Sequence, residues 1–332
     1  MNNTQQEINE ALLNFSFLGK LQEVHYLLTS NELNKNAEIN AIYKGIHYRS
    51  GQNALILACI GGHVDIVKYL LSFPEILNNI NYKDKEGKTA IDYACALDSV
   101  DILETILNTE EYFDYNKALH LSCNLGKLNI VKYFLTSKHK HKFQLKSVDY
   151  HGKTPLMIAC SQGHLNIVKF LLTSSDLEKN SNINEATINK STSLMYACLN
   201  NQIEIIDYLL TSDELKEHSR IHDRDENQNA AIYYCETLET VKFLLTNEKL
   251  KEHADMYSKN KHGYDIFSRS LRRLDIMEFL IFDMNIDTSK YIDFLQNQKN
   301  VEPIFKMIKT KHLHQHFEET LNHKNPKKMR KI

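Results

Sequence analysis

A chain of 332 residues exceeds one ordinary hydrophobic core, so it is either two domains or an elongated architecture that grows without enlarging any single core. With 42% hydrophobic and 25% charged residues the body is not disordered, and no run of 18 apolar residues offers a membrane-spanning helix. The net charge of -2 conceals an asymmetry: residues 290–332 hold ten Lys/Arg against four Asp/Glu, which leaves the body at about -8 and argues against nucleic acid as its partner.

The chain starts Met1-Asn-Asn-Thr-Gln-Gln-Glu7, without a basic or an apolar region, so no secretory leader is expected and a cytoplasmic location is. Six cysteines then mark a period: Cys59, Cys95, Cys123, Cys160, Cys198 and Cys235 stand 36, 28, 37, 38 and 37 residues apart. Around them one pattern recurs over 51–71, 87–107, 116–135, 152–172, 190–210, 227–245 and 263–281, after a degenerate copy at 11–28.

Each copy predicts a pair of helices. Asn53, Thr89, Thr154, Thr192, Asn229 and Asp265 stand where a side-chain oxygen can accept from the orphan N–H groups of a helix start; Lys117 breaks the series. Pro155 suits the first helical position, where its missing N–H costs nothing. Gly51, Gly87, Gly152 and Gly263 precede the cap by two residues, as a left-handed turn requires. Asn227 is the expected substitute in its copy, while Lys190 stands at that place with nothing in the sequence to explain it. In the second helix Ile66, Val67, Leu70 and Leu71 build one broad apolar face, and Ile167, Val168, Leu171 and Leu172 repeat it. A helix pair cannot bury that face alone, so the copies must stack.

The clearest copy reads Gly152-Lys-Thr-Pro-Leu-Met-Ile-Ala-Cys-Ser-Gln-Gly-His-Leu-Asn-Ile-Val-Lys-Phe-Leu-Leu172. It closely resembles the ankyrin signature, G-x-T-P-L-h-x-A-x-x-x-G-H-x-x-I-V-x-x-L-L. The resemblance implies an all-α solenoid of about eight ankyrin units with short hairpin fingers: a capping repeat at 1–30 and further repeats over 31–287. It also implies protein-protein recognition without cofactor or catalysis. His63, His120 and His164 fill positions where the family uses histidine to brace loops.

Irregularities follow in chain order. Residues 31–50 form the longest connection, polar and rich in Asn. Between Leu107 and Cys123 most of the linking hairpin is missing, which predicts a kink dividing 5–110 from 114–287. Residues 288–323, including Tyr291-Ile-Asp-Phe-Leu and Val301-Glu-Pro-Ile-Phe-Lys-Met-Ile, read as short amphipathic helices capping the far end. The tail 324–332 is basic, and Pro326, Lys327, Lys328, Arg330 and Lys331 resemble a nuclear-import signal that an import receptor would read.

No nucleophile elbow, Walker loop, H-E-x-x-H or C-x-x-C pair occurs, so neither catalysis nor a metal site is expected. His312 and His316 could share a helix face but lack a third ligand at suitable spacing. Buried thiols are the expectation for the cysteines, because equivalent positions in stacked repeats lie too far apart for disulfides.

The binding surface is expected on the concave face formed by the first helices and the finger tips, and above all at the tips, where triplets vary while the helices around them keep one pattern. The candidate contacts are Tyr48, Arg49, Lys85, Glu86, Tyr150, His151, Ile188, Asn189, Asp225, Glu226, Lys261 and His262, with Tyr48, Arg49 and Tyr150 as anchors. The expected function is that of a monomeric scaffold for a partner protein, with an effector acting on host proteins as one form of it. The alternative from sequence is an inhibitor or immunity protein that occludes a toxin or enzyme.

Overall fold

The computed structural model describes residues 2–30, 36–43, 51–109, 111–174 and 182–324, with the side chains of 2–4 and 314–324 outside that description. The chain divides into two compact units, Met1–Asn182 and Ile183–Ile332. All regular elements described are helical apart from isolated β-bridges, such as the one between Ala186 and Thr192.

The first unit contains five helix pairs: α1 (Asn2–Leu18) and α2 (Leu21–Thr29), α3 (Ala54–Gly61) and α4 (Val64–Leu70), then, after the single turn α5 (Pro74–Leu77), α6 (Ala90–Ala96) and α7 (Val100–Leu107). The pairs α8 (Tyr115–Asn124) with α9 (Leu128–Thr136) and α10 (Pro155–Gln162) with α11 (Leu165–Thr173) complete it. First helices pack in one row, α1 on α3 on α6 on α8 on α10, and second helices in another, α2 on α4 on α7 on α9 on α11. The apolar faces predicted from the spacing are buried between the rows except at one edge: Ile66, Val67 and Leu70 in α4 and Ile167, Val168 and Leu171 in α11 are fully inaccessible and Leu71 is buried, while Leu172 is half-buried. This is the nearest-neighbour burial that forces repeats to stack.

The second unit repeats the scheme with α12 (Ser193–Leu199) and α13 (Ile203–Thr211), a 3-10 turn over Ala231–Tyr234 with α14 (Leu238–Thr246), and α15 (Ile266–Arg269) with α16 (Leu274–Glu278). Beyond a π-helical turn at Phe279–Asp283 come α17 (Ile292–Gln296) and α18 (Glu302–Lys324). The latter packs on α16 and, at 23 residues, is far longer than the short helix expected from sequence. No described helix is long and apolar enough to cross a membrane.

Helix caps follow the sequence at most positions. Asn53, Thr89, Thr154, Thr192 and Asp265 accept from the N–H groups of Ile56, Asp92, Met157, Met195 and Ser268, and Thr89 with Asp92 forms a reciprocal capping box. Two units depart from it. In the fourth, Asp114 caps by accepting from the Lys117 N–H, so α8 starts a turn earlier and Lys117 is already inside the helix. This extra turn occupies the place of the missing hairpin. No division follows there: α6 packs on α8 and α7 on α9 across the short link, and the compact units part at Asn182 and Ile183 instead. In the seventh, Ala230 and not Asn229 stands in the cap position and offers no side-chain bond. Asn229 instead turns its amide to the Asp225 carboxylate and the Tyr234 hydroxyl. The left-handed residue there is Gln228, with φ 62°, so the sequence register of this copy was one residue early.

Lys190 adopts φ 59° at the place where Gly152 has φ 76°. A left-handed backbone costs a non-glycine residue roughly 1–2 kcal/mol, so Lys190→Gly is expected to raise stability by about 0.5–1 kcal/mol after the added flexibility of glycine in the unfolded chain is counted. A melting temperature equal to or below that of the parent chain would show that the Lys190 side chain contributes more than its strain removes.

Candidate binding groove and finger tips

Five of the described fingers begin with a residue that folds back on its own turn. Asp84 Oδ1 accepts from the N–H groups of Glu86 and Lys88, both at 2.9 Å; Asp149 Oδ1 accepts from those of His151 and Lys153, both at 2.8 Å. Asp225 Oδ1 accepts from Asn227 and Asn229, and Asn260 Oδ1 from His262 and Tyr264. Thr187 Oγ1 takes the corresponding bond from Ser191. The four Asp and Asn turns are Asx-type, in which a short side chain satisfies two backbone donors and fixes the hairpin, and Thr187 serves one donor in the same way.

That geometry corrects one candidate. Asp225 is 2% exposed, with its carboxylate committed to the turn, and cannot meet a partner. The tip of that finger is Glu226 and Asn227. Lys85, Glu86, Tyr150, His151, Ile188, Asn189, Glu226, Lys261 and His262 all stand exposed at the outer ends of their turns. Glu86 is paired to Lys88 at 2.7 Å, a surface pair of small energetic weight. In the second unit the fingers are tied in series: the Glu226 N–H donates to the Asn189 carbonyl and the Lys261 N–H to the Asn227 carbonyl, each at 2.9 Å. Tyr48 and Arg49 lie outside the described residues, as do Pro326, Lys327, Lys328, Arg330 and Lys331.

The first unit carries a groove of about 660 Å³. One wall is α8, through Asn116, Lys117, His120, Leu121 and Asn124; the floor is α10, through Ile158, Ser161 and Gln162; the finger residues Val148, Tyr150, His151 and Lys153 close it. Tyr150 is 92% exposed, with its ring 3.9 Å from that of His151, and Val148 is 53% exposed. Large apolar groups held in water on a tight turn are available for burial by a partner.

The polar groups of the groove are largely occupied in holding it. Lys117 Nζ pairs at 2.6 Å with Asp92, whose side chain is 3% exposed. His120 Nε2 donates to the Ser147 carbonyl at 3.1 Å, tying α8 to the finger base. Gln162 Nε2 donates to Asn124 Oδ1 at 3.0 Å, linking α10 to α8. At the turns between the paired helices, His63 and His164 brace loops through the carbonyls of Phe17 and Asn124 at 2.9 and 3.0 Å. The His164 ring fits over Gly126, where a Cβ would come within 2.6 Å of Cε1, so the Gly-His pairing across repeats is steric as well as polar.

Burial holds His120 below the ordinary histidine value of 6.5, against the Ser147 carbonyl that raises it. His139, buried after α9, is held down by burial and then by the charges of Lys138 and Lys142. Unfolding restores both to the ordinary value, so the unfolded chain takes up protons first and stability is expected to fall as pH drops below about 6.5. Thermal melts at about pH 7.5 and about pH 5.5 measure this, and His120→Gln with His139→Gln should flatten the difference.

All six cysteines are buried free thiols, and burial raises those of Cys59, Cys95 and Cys123. That of Cys198 is raised by a hydrogen bond with Cys235 and by burial. Among the described residues, no three His, Cys, Asp or Glu side chains gather as metal ligands. His312 is exposed on α18; the side chains of His314 and His316 lie outside the described residues.

A sequence model of ankyrin repeats, in three copies, matches residues 12–118 and 108–184. The chain has no match among curated protein sequences. Its fold is similar to the crystal structure of the ankyrin repeat domain of Bcl-3, described there as a unique member of the IkappaB protein family, with TM-score 0.53 and 19% identity over 70% of this chain and 97% of that one. The human ASB11 ankyrin repeat domain is similar to the same degree, with TM-score 0.53 and 19% identity over 70% of this chain and 94% of that one.

Proposed function

Because this chain belongs to the ankyrin repeat family, we propose that it is a non-catalytic binding module that recognises a partner protein through the groove of α8 and α10 and the finger bearing Tyr150 and His151. Ankyrin repeats are protein-protein interaction modules. The observation that carries the assignment to this groove is the pairing of a concavity with Tyr150, an aromatic side chain 92% exposed on a turn whose backbone is fixed by Asp149. Such a side chain is pre-positioned, so a partner that buries it gains contact area at small entropic cost.

A binding role also accounts for the groove's titratable groups. Asp149 is engaged by two backbone N–H groups, Lys117 by Asp92 and His120 by the Ser147 carbonyl, so each is held in a structural bond instead of being presented as an acid, base or nucleophile.

The test is capture of binding proteins on the immobilised chain, compared with the Tyr150→Ala, His151→Ala double variant. Capture is expected to weaken at least tenfold, roughly 1.4 kcal/mol, with little change in melting temperature because neither side chain is packed. Equal capture by both chains would place the interface on another surface.

A further inference from the structure

Charge is segregated along the first unit in a way the net charge conceals. Residues 1–114 hold 16 Asp/Glu against eight Lys/Arg, whereas residues 115–174 hold nine lysines, no arginine and a single acidic residue, Asp149. The density peaks in the turn after α9, Lys138-His-Lys-His-Lys142, with Lys146 close behind.

The scaffold does not demand these lysines. The helices α9, α13 and α14 each end in threonine, and the two later ones continue Ser-Asp-Glu after Thr211 and Asn-Glu-Lys after Thr246, where α9 continues Ser-Lys-His after Thr136. A position that accepts Asp or Glu in sister repeats is basic here.

The turn is also rigidly seated. Phe143 is 7% exposed, stacks on Phe134 at 4.3 Å and meets Tyr115 edge-on at 5.4 Å. Lys142 Nζ donates to the Tyr115 hydroxyl, and the Gln144 N–H donates to Asn116 Oδ1. Asn116 lines the groove, and so does His120, which holds the Ser147 carbonyl at the end of the same segment. The basic turn is thus fastened to the groove wall. Lys138, Lys140 and Lys146 are exposed, and among the described residues none of the three has a carboxylate within ion-pair distance. His139, within this turn, is held below the ordinary histidine value by burial and then by the neighbouring lysine charges, and among the described residues its buried Nε2 has no hydrogen-bond partner.

We infer that the turn 138–146 and the adjoining groove form one docking surface for an acidic polypeptide segment that carries an aromatic or aliphatic side chain. This rests on the protein-binding reading above and specifies the partner's chemistry. Lysine ammonium groups supply long-range attraction to carboxylates, while Tyr150, Val148 and Leu121 supply the apolar contact that fixes register. A peptide suits this surface better than nucleic acid for two reasons. The band holds no arginine, the side chain that matches phosphate and base edges bidentately, and the acidic residues 1–114 of the same compact unit repel a long polyanion that a short acidic segment need not approach.

The probe is a fluorescein-labelled peptide of about 12 residues, glutamates interspersed with leucine and tyrosine, titrated with the full chain. Binding is expected to weaken about tenfold from about 50 to about 200 mM NaCl, and at least tenfold in the Lys138→Glu, Lys140→Glu, Lys146→Glu variant, whose melting should be unchanged because those side chains are unpaired. The glutamine version of the peptide should bind at least tenfold more weakly than the glutamate one. Four results would overturn the inference: no saturable binding of the acidic peptide, equal binding of its glutamine version, tighter binding of a single- or double-stranded DNA of equal charge, or salt-sensitive self-association that fills the site with the acidic half of a second copy. If the natural partner's capture survives lysine reversal and fails in the Tyr150→Ala, His151→Ala variant, the partner's acidity is wrong and the groove stands; if it survives both, the groove itself is wrong.

Discussion

Phe134→Ala is expected to destabilise the first unit by about 3–5 kcal/mol and to lower its melting temperature by roughly 6–20 °C. The ring is fully buried in α9, and its removal leaves a void that the surrounding helices can only partly fill. Its closest aromatic neighbour, Phe143, lies almost parallel, with 22° between the rings, and is the residue that seats the basic turn on the helix pair. The loss should therefore be double: global stability falls, and at temperatures where the unit stays folded the acidic peptide should bind more weakly because the lysines are no longer held in place. Phe134→Leu should recover part of both effects. Denaturant melts of the two variants provide the measurement, and a cost below about 1 kcal/mol for the alanine variant would mean that the site repacks and that the seat of the turn lies elsewhere.

Much of this fold could be read from the sequence because stacked repeats solve one packing problem many times. A side chain pressed between neighbours sees nearly the same surroundings in each copy, so Cys59, Cys95, Cys123, Cys160 and Cys198 recur in register and all are fully buried. Capping residues are legible for the same reason, since the orphan N–H groups of every first helix need an acceptor at the same offset. The misreadings occur where a copy changes length. Alignment on cysteine assumes a constant distance from cap to core: it is six residues from Thr154 to Cys160 but five from Ala230 to Cys235, where the α-helix contracts to a 3-10 turn. The signal that could have fixed the register was present: Asp84, Asp149 and Asp225 share one role, and aligning the aspartates instead of the caps places Gln228 in the left-handed position.

The binding surface is less legible for a physical reason. Packing does not dictate exposed tips, so their identities carry no periodic constraint to read, and their exposure becomes visible only when neighbouring turns are placed. The charge band was hidden by averaging over residues 1–289, because the acidic repeats before Tyr115 cancel the lysines after it. Counting charge repeat by repeat exposes it, and the structure adds what counting cannot: which lysines are already paired, as Lys117 is with Asp92, and which face water without a partner.

Asp225→Ala is expected to cost the second unit about 2–4 kcal/mol, a loss that a solvent-facing contact residue would not produce. The carboxylate is 2% exposed and accepts from the N–H groups of Asn227 and Asn229 at 2.8 Å, from Asn229 Nδ2 at 3.0 Å, and from the Tyr234 hydroxyl. Burial and that last bond push the Tyr234 hydroxyl up to about 12, so it remains a donor throughout the physiological range. Truncation strands four donors at once, two of them backbone groups that hold the hairpin closed and so position the tip residues Glu226 and Asn227. Asp225→Asn separates the contributions: its amide oxygen can still serve the two backbone donors, but its NH2 faces the donors from Tyr234 and Asn229, so an intermediate cost of about 1–2 kcal/mol is expected. Glu226→Ala, one residue along and exposed, should change stability by less than about 0.5 kcal/mol. Melting curves for the three variants rank them directly. An Asp225→Ala chain that melts with the parent and loses partner capture would return Asp225 to the recognition surface and place the turn's stability in its backbone bonds alone.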